Sequence, residues 1–165
     1  MIEDIDLKAE RRRIRAYEKR SLFHNGEIPD HKIKFVQQPG DFGCGIACVA
    51  MVTDRGYEEA EYLVLNKEAG MFDEQVEMLL GRLKYYGETG KVSQAPPGGL
   101  YMLVVPSLNI KGGSHYIVLD YRDEDAPKIY DPNKGREGKE FYCEQTNPVK
   151  AFFATIEIFK RPEFV

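Results

Sequence analysis

The sequence has little cysteine, little histidine, no long apolar run and no excess of basic charge. Each shortage excludes something. Only three cysteines, Cys44, Cys48 and Cys143, occur in 165 residues. An odd trio cannot staple a disulfide framework, so a reducing, cytoplasmic setting is expected, with cysteines free, catalytic or metal-bound. The histidines number three, at positions 24, 31 and 115. With Cys44 and Cys48 four apart, this is thin material for zinc, and neither a metal nor a cofactor is expected. The longest apolar runs, Ile46 to Val52 and Leu100 to Val105, fall far short of the ~20 residues a membrane-crossing helix needs. The first twenty residues lack the apolar core of a secretory signal. Net charge is -4, with 23 basic and 27 acidic residues. That balance argues against nucleic acid as a partner, because phosphate binding rests on a basic face.

What is present fits one soluble domain. A chain of this length buries a core without staples. No repeat or low-complexity tract interrupts it. Residues 1–22 read as a charged helix with seven basic and five acidic residues. The simplest reading is a solvated helix. A protein partner docking on the Arg-rich residues 8–20 is the other. Residues 23–165 form the globular domain. A short strand is expected over Ile33 to Val36, then a loop from Gln37 to Gly43 whose Pro and Gly residues forbid helix. Cys44 to Thr53 is apolar and Ala-rich, a buried helix. Helical spacing also fits Tyr57 to Asn66 and Phe72 to Tyr86, with the period changing after Gly87. Leu100 to Val105, His115 to Tyr121, Lys128 to Asp131 and Phe152 to Phe159 read as strands. Helices first and strands later make an α+β domain with an antiparallel sheet.

Two places carry chemistry. Cys44 stands where a Gly-rich loop meets a buried helix. Free N–H groups and the positive end of the helix dipole favour a thiolate there, and can face a developing oxyanion. Gln38, across the loop, can add an amide donor. Gly43 and Gly45 leave room for a substrate backbone. Cys48 reads as a small buried hydrophobe. The second place is His115, which opens an apolar strand. Folding His115 to Tyr121 against Pro127 to Asp131 about the polar turn Arg122-Asp123-Glu124 pairs Ile117 with Ile129 and His115 with Asp131. Opposed residues share a face, so a carboxylate comes beside an imidazole, where it fixes the ring tautomer. Asp131-Pro132 also reads simply as a turn opening. Residues Gln94 to Gly99 and Asn109 to Ser114 either flank a cleft or merely connect strands. Tyr85 and Tyr86 read as half-buried packing.

Gln38-x5-Cys44-Gly45, the Ala-rich helix, Gly113-Ser-His115-Tyr-Ile-Val-Leu and Tyr130-Asp131-Pro132 with Gly135 together resemble the bacteriocin-processing peptidases and their stand-alone relatives, within the papain-like superfamily. The resemblance spans about Ile33 to Gly135. It implies a papain-like α+β fold with Cys44 as nucleophile, His115 as base and acid, Asp131 as the orienting carboxylate and Gln38 as an oxyanion-hole donor. The expected activity is cleavage of a peptide or isopeptide bond in a peptide or protein substrate through an acyl-enzyme. The same triad can run deamidation or acyl transfer, and the fold can serve as a non-catalytic peptide-binding module. Many members place an acidic residue directly before the cysteine; here Gly43 stands there. Well-known members precede ATP-driven exporters and cut leaders after a Gly-Gly pair. The 165 residues hold no Walker motif and no membrane span, so a stand-alone relative is expected.

Overall fold

A computed structural model describes residues 26–64, 71, 73–89, 95–149, 152 and 156–162. The expected N-terminal helix over 1–22, and with it the Arg-rich residues 8–20, lie outside the described residues.

Among the described residues, three helices precede the five strands of the sheet. Helix α1, Cys44–Val52, buries all nine of its residues. Its small side chains let it lie close against strand β3, and Thr53 ends it by bonding its hydroxyl back to the Val49 carbonyl at 2.7 Å. Helix α2, Tyr57–Tyr62, is short and carries Glu58 and Glu59 in its first turn. Helix α3, Asp73–Arg82, buries Val76, Leu79 and Leu80, with acids in its first turn and Arg82 in its last. That charge order complements the helix dipole.

The helix expected to run to Tyr86 stops short. Lys84 takes a left-handed turn at φ 67°, and Tyr85–Glu88 is strand β1. Val76, Leu79, Leu80 and Leu83 do keep helical spacing. Tyr85, however, pairs with Lys160, and Tyr86 stacks on Phe159 with ring centroids 5.2 Å apart. Sheet pairing therefore overrides a local pattern that is apolar in either geometry. Residues Ile33 to Val36, expected as a strand, have no regular secondary structure and lie outside the sheet. Ile33 is buried in the core but no ladder partner lies beside it among the sheet pairings.

The sheet is antiparallel throughout, in the order β1-β5-β2-β3-β4. Strands β2, Leu100–Pro106, and β3, Ser114–Asp120, pair along their full length, from Leu100 opposite Asp120 to Pro106 opposite Ser114. Strand β4, Lys128–Tyr130, borders β3, and β5, Ile156–Lys160, lies between β1 and β2. Alternation along the strands gives the sheet two apolar faces. Leu100, Met102, Tyr116, Val118, Ile156 and Ile158 face the helices. Tyr101, Leu103, Val105, Ile117, Leu119 and Ile129 form the second core with Tyr142 and Phe152.

The β3–β4 register differs from the expected one by two residues. Leu119 opposes Ile129 and Val118 opposes Tyr130, because the connection is centred on Glu124 rather than Asp123. A shift of two preserves faces, whereas a shift of one reverses them. Ile129 still packs on the side of Ile117, and Asp131 stays on the side of His115.

Candidate active site

Cys44 is the first residue of α1. The residue before it, Gly43, supplies no side-chain cap, and the first turn holds no acid. The N–H groups at this helix end therefore remain available to an anion. The thiol sits at the edge of the core, 9 % exposed, while Cys48 one turn on is fully buried. Burial alone pushes the Cys44 thiol up. Hydrogen bonding to His115 and to the Tyr116 backbone, the charge of His115 and the Gly45 backbone outweigh it and hold Cys44 below its ordinary value. Cys48 goes the other way: burial, Cys44 and Asp131 push it well above the ordinary value, so it stays a thiol.

His115 stands at the start of β3, beside the first turn of α1. Its Nε2 donates to Asp131 Oδ1 at 2.6 Å, a buried contact. Asp131 follows β4 and is 2 % exposed. It is kept satisfied by two further donors: the Asn133 N–H reaches Oδ1 at 2.9 Å and the Tyr142 N–H reaches Oδ2 at 2.8 Å. A buried carboxylate needs such partners. Burial lowers the His115 value, but the bond to Asp131, the bond to Cys44 and their charges raise it to about 9. Since Nε2 is held by Asp131, Nδ1 is the ring nitrogen left for the thiol. The two-residue register shift makes the His115–Asp131 contact diagonal rather than directly opposed, and Asn133 Nδ2 comes to 3.5 Å from the same Nε2.

Gln38 is buried in the loop before Cys44. Its Nε2 donates to the Gly40 carbonyl at 2.6 Å, and its backbone N–H to the Pro132 carbonyl at 3.0 Å. An amide nitrogen carries two protons, so one remains after the bond to Gly40. Its Oε1 is buried without a hydrogen-bond partner among the described residues.

Several expectations change. The place that a side chain at Gly43 would take is filled. A Cβ there would lie 2.6 Å from the Tyr57 hydroxyl and 3.1 Å from Pro39 Cδ, and one at Gly45 would lie 3.3 Å from Met71 Cβ. Tyr57 thus occupies the place that a side chain before the cysteine would need. Residues 95–99 lead into Leu100, at the end of β2 far from His115, since Pro106 marks the near end. Six residues of strand put them about 20 Å away; Gln94 lies outside the described residues. Residues 109–113 do adjoin the site, leading straight into His115. His31 is structural: its Nε2 donates to the Met51 carbonyl at 3.0 Å.

Sequence reasoning missed Asn133 and the Tyr142 N–H. Asn133 had a signal, for an Asp side chain bonding the N–H two residues on is a common turn device. The Tyr142 contact had none, because it joins segments through tertiary packing.

Helices packed on a five-stranded antiparallel sheet make this the α+β fold that the sequence implies. The chain belongs to the Peptidase C39 family, whose model matches residues 32–141, and that family is one of cysteine peptidases. Among solved structures, it is similar to the peptidase domain of Streptococcus ComA, a bi-functional ABC transporter, with a TM-score of 0.54 and 16 % identity over 80 % of this chain and 100 % of that one. It is also similar to a double glycine motif protease from an AMS/PCAT transporter in complex with the leader peptide. There the TM-score is 0.51 and the identity 16 %, over 80 % of this chain and 93 % of that one. No curated protein matches it. Among the described residues no helix is long and apolar enough to cross a membrane.

Proposed function

We propose that Cys44, His115, Asp131 and Gln38 form the catalytic machinery of a peptidase acting through an acyl-enzyme on Cys44. The observation that carries this reading is the buried 2.6 Å bond between His115 and Asp131, placed beside a thiol at an uncapped helix start. His115 takes the thiol proton at Nδ1, and the thiolate attacks the scissile carbonyl. The oxyanion that forms meets the backbone N–H groups at the start of α1 and the remaining Nε2 proton of Gln38. The imidazolium, stabilised by Asp131, gives its proton to the leaving amine. Water, deprotonated by His115, then releases the acyl group and restores the thiol. A leader peptide ending in a glycine pair, the motif and partner named for the solved neighbour, is the first substrate to test.

Iodoacetamide labelling followed by peptide mapping tests the activated thiol. Cys143 is only half-buried, and a hydrogen bond with Thr146 lowers its value too, so the measurement is made in a Cys143→Ser background. At neutral pH label should fall on Cys44 and not on Cys48, and Cys44→Ala should remove it. Equal labelling of Cys44 and Cys48 would sink the reading. Comparing new protein N-termini between wild type and Cys44→Ala then identifies substrates, and intact mass separates cleavage from deamidation or conjugation.

A further inference from the structure

Two loops assemble the site. Residues 37–43 carry Gln38 and lead into Cys44, and residues 131–139 carry Asp131. They are stitched together at successive points. The Gln38 N–H donates to the Pro132 carbonyl and the Gln37 Nε2 to the Lys134 carbonyl, each at 3.0 Å. Further along, Arg136 Nη2 donates to Asp41 Oδ1 at 3.0 Å, and Lys139 Nζ lies 3.5 Å from the same oxygen.

Arg136 differs from the other stitches because it forks. Its Nη1 donates to Asn133 Oδ1 at 2.7 Å. Asn133 is buried, bonds Asp131 through its N–H and reaches His115 Nε2 through its amide. A guanidinium holds two acceptors at once in a planar fork, which an ammonium cannot copy. The Asp41 arm is half-exposed and screened by salt. The Asn133 arm is sheltered.

We propose that Arg136 is a positioning residue: its guanidinium, forked between Asn133 and Asp41, sets the loop carrying Gln38 against the loop carrying Asp131. This rests on the catalytic reading of those residues. The function it serves is alignment of the oxyanion donor with the His115–Asp131 pair, and misplacement by about 1 Å is enough to slow catalysis strongly.

Two reactions of the same thiol separate alignment from mere stability. Acylation by p-nitrophenyl acetate passes through a tetrahedral oxyanion: the Cys44 sulfur–acyl bond forms, p-nitrophenolate leaves with the bonding pair, and water later hydrolyses the thioester. Alkylation by iodoacetamide displaces iodide at a saturated carbon and needs no oxyanion donor. In the Cys143→Ser background of the full chain, Arg136→Ala should lower the acylation rate about tenfold relative to the alkylation rate, less than outright loss of a donor would. Arg136→Lys should stay low, and Asp41→Ala should fall between. Equal loss in both reactions, or no loss in either, overturns the proposal. If Arg136→Ala shows no cooperative melting transition, the rate ratio in Arg136→Lys and Asp41→Ala decides instead. Ester turnover that is the same in wild type and Cys44→Ala would refute the catalytic reading itself, a different result.

Discussion

Asp131 governs the charge of the site. With Cys44 held below its ordinary value and His115 raised to about 9, the proposed site favours a thiolate–imidazolium pair near neutral pH. Peptidase activity against pH should therefore be bell-shaped. The ascending limb follows loss of the Cys44 proton. The descending limb lies near 9, where His115 loses its own. Asp131→Asn removes the bond that raises His115 most, so the descending limb should move down toward the ordinary 6.5. The rate should fall by about 10²–10⁴ with the wrong tautomer in place. A profile unmoved by Asp131→Asn would show that the carboxylate does not set the imidazole. The places that the proposed roles of Cys44, His115 and Gln38 need can be read from sequence because their signal is local: a thiol at a loop–helix junction, an imidazole opening a strand, an amide in the loop. Arg136 is not, because its contact with Asp41 spans 95 residues and nothing nearby in sequence announces it.

Elements are legible where periodicity and burial agree, as in α1 and in the β2–β3 hairpin. They blur where an apolar stretch fits two geometries. The passage from α3 to β1 is such a case: Leu83 keeps the helical spacing, and a single left-handed residue, Lys84, changes the period. The β3–β4 connection shows what patterning can and cannot specify. It settles which face Asp131 shares with His115, but shifts of two residues are invisible to it. The loop after β4 depends on Gly135, whose φ is +85° and whose Cβ, if present, would lie 3.0 Å from Gln37 Nε2. Gly135→Ala should therefore cost about 1–2 kcal/mol in urea unfolding. Gly40→Ala meets nothing within 4 Å and should stay within about 0.5 kcal/mol of wild type. Equal effects at the two glycines would mean that the left-handed turn is not what the loop requires.

At the scale of the molecule, the decisive feature is β5, the last of the described strands in sequence, which lies inside the sheet between β1 and β2. Ile156 and Ile158 are fully buried and Phe159 nearly so. Losing their burial forfeits about 5–9 kcal/mol, comparable with the whole stability of an ordinary domain. Deleting residues 156–165 should abolish the cooperative thermal transition followed by circular dichroism; a truncated chain that still melts sharply would contradict this. Alternation from Phe152 to Phe159 marks a strand in the sequence, but its place between β1 and β2 is a long-range pairing that no local pattern encodes. That placement also sets a timetable. A nascent chain leaving the ribosome holds Cys44, His115 and Asp131 long before residues 156–160 emerge to join β1 to β2. Such non-local pairing is slow to form. The sheet that presents His115 and Asp131 is thus complete only once residues 156–160 have emerged, later than every residue proposed for the site.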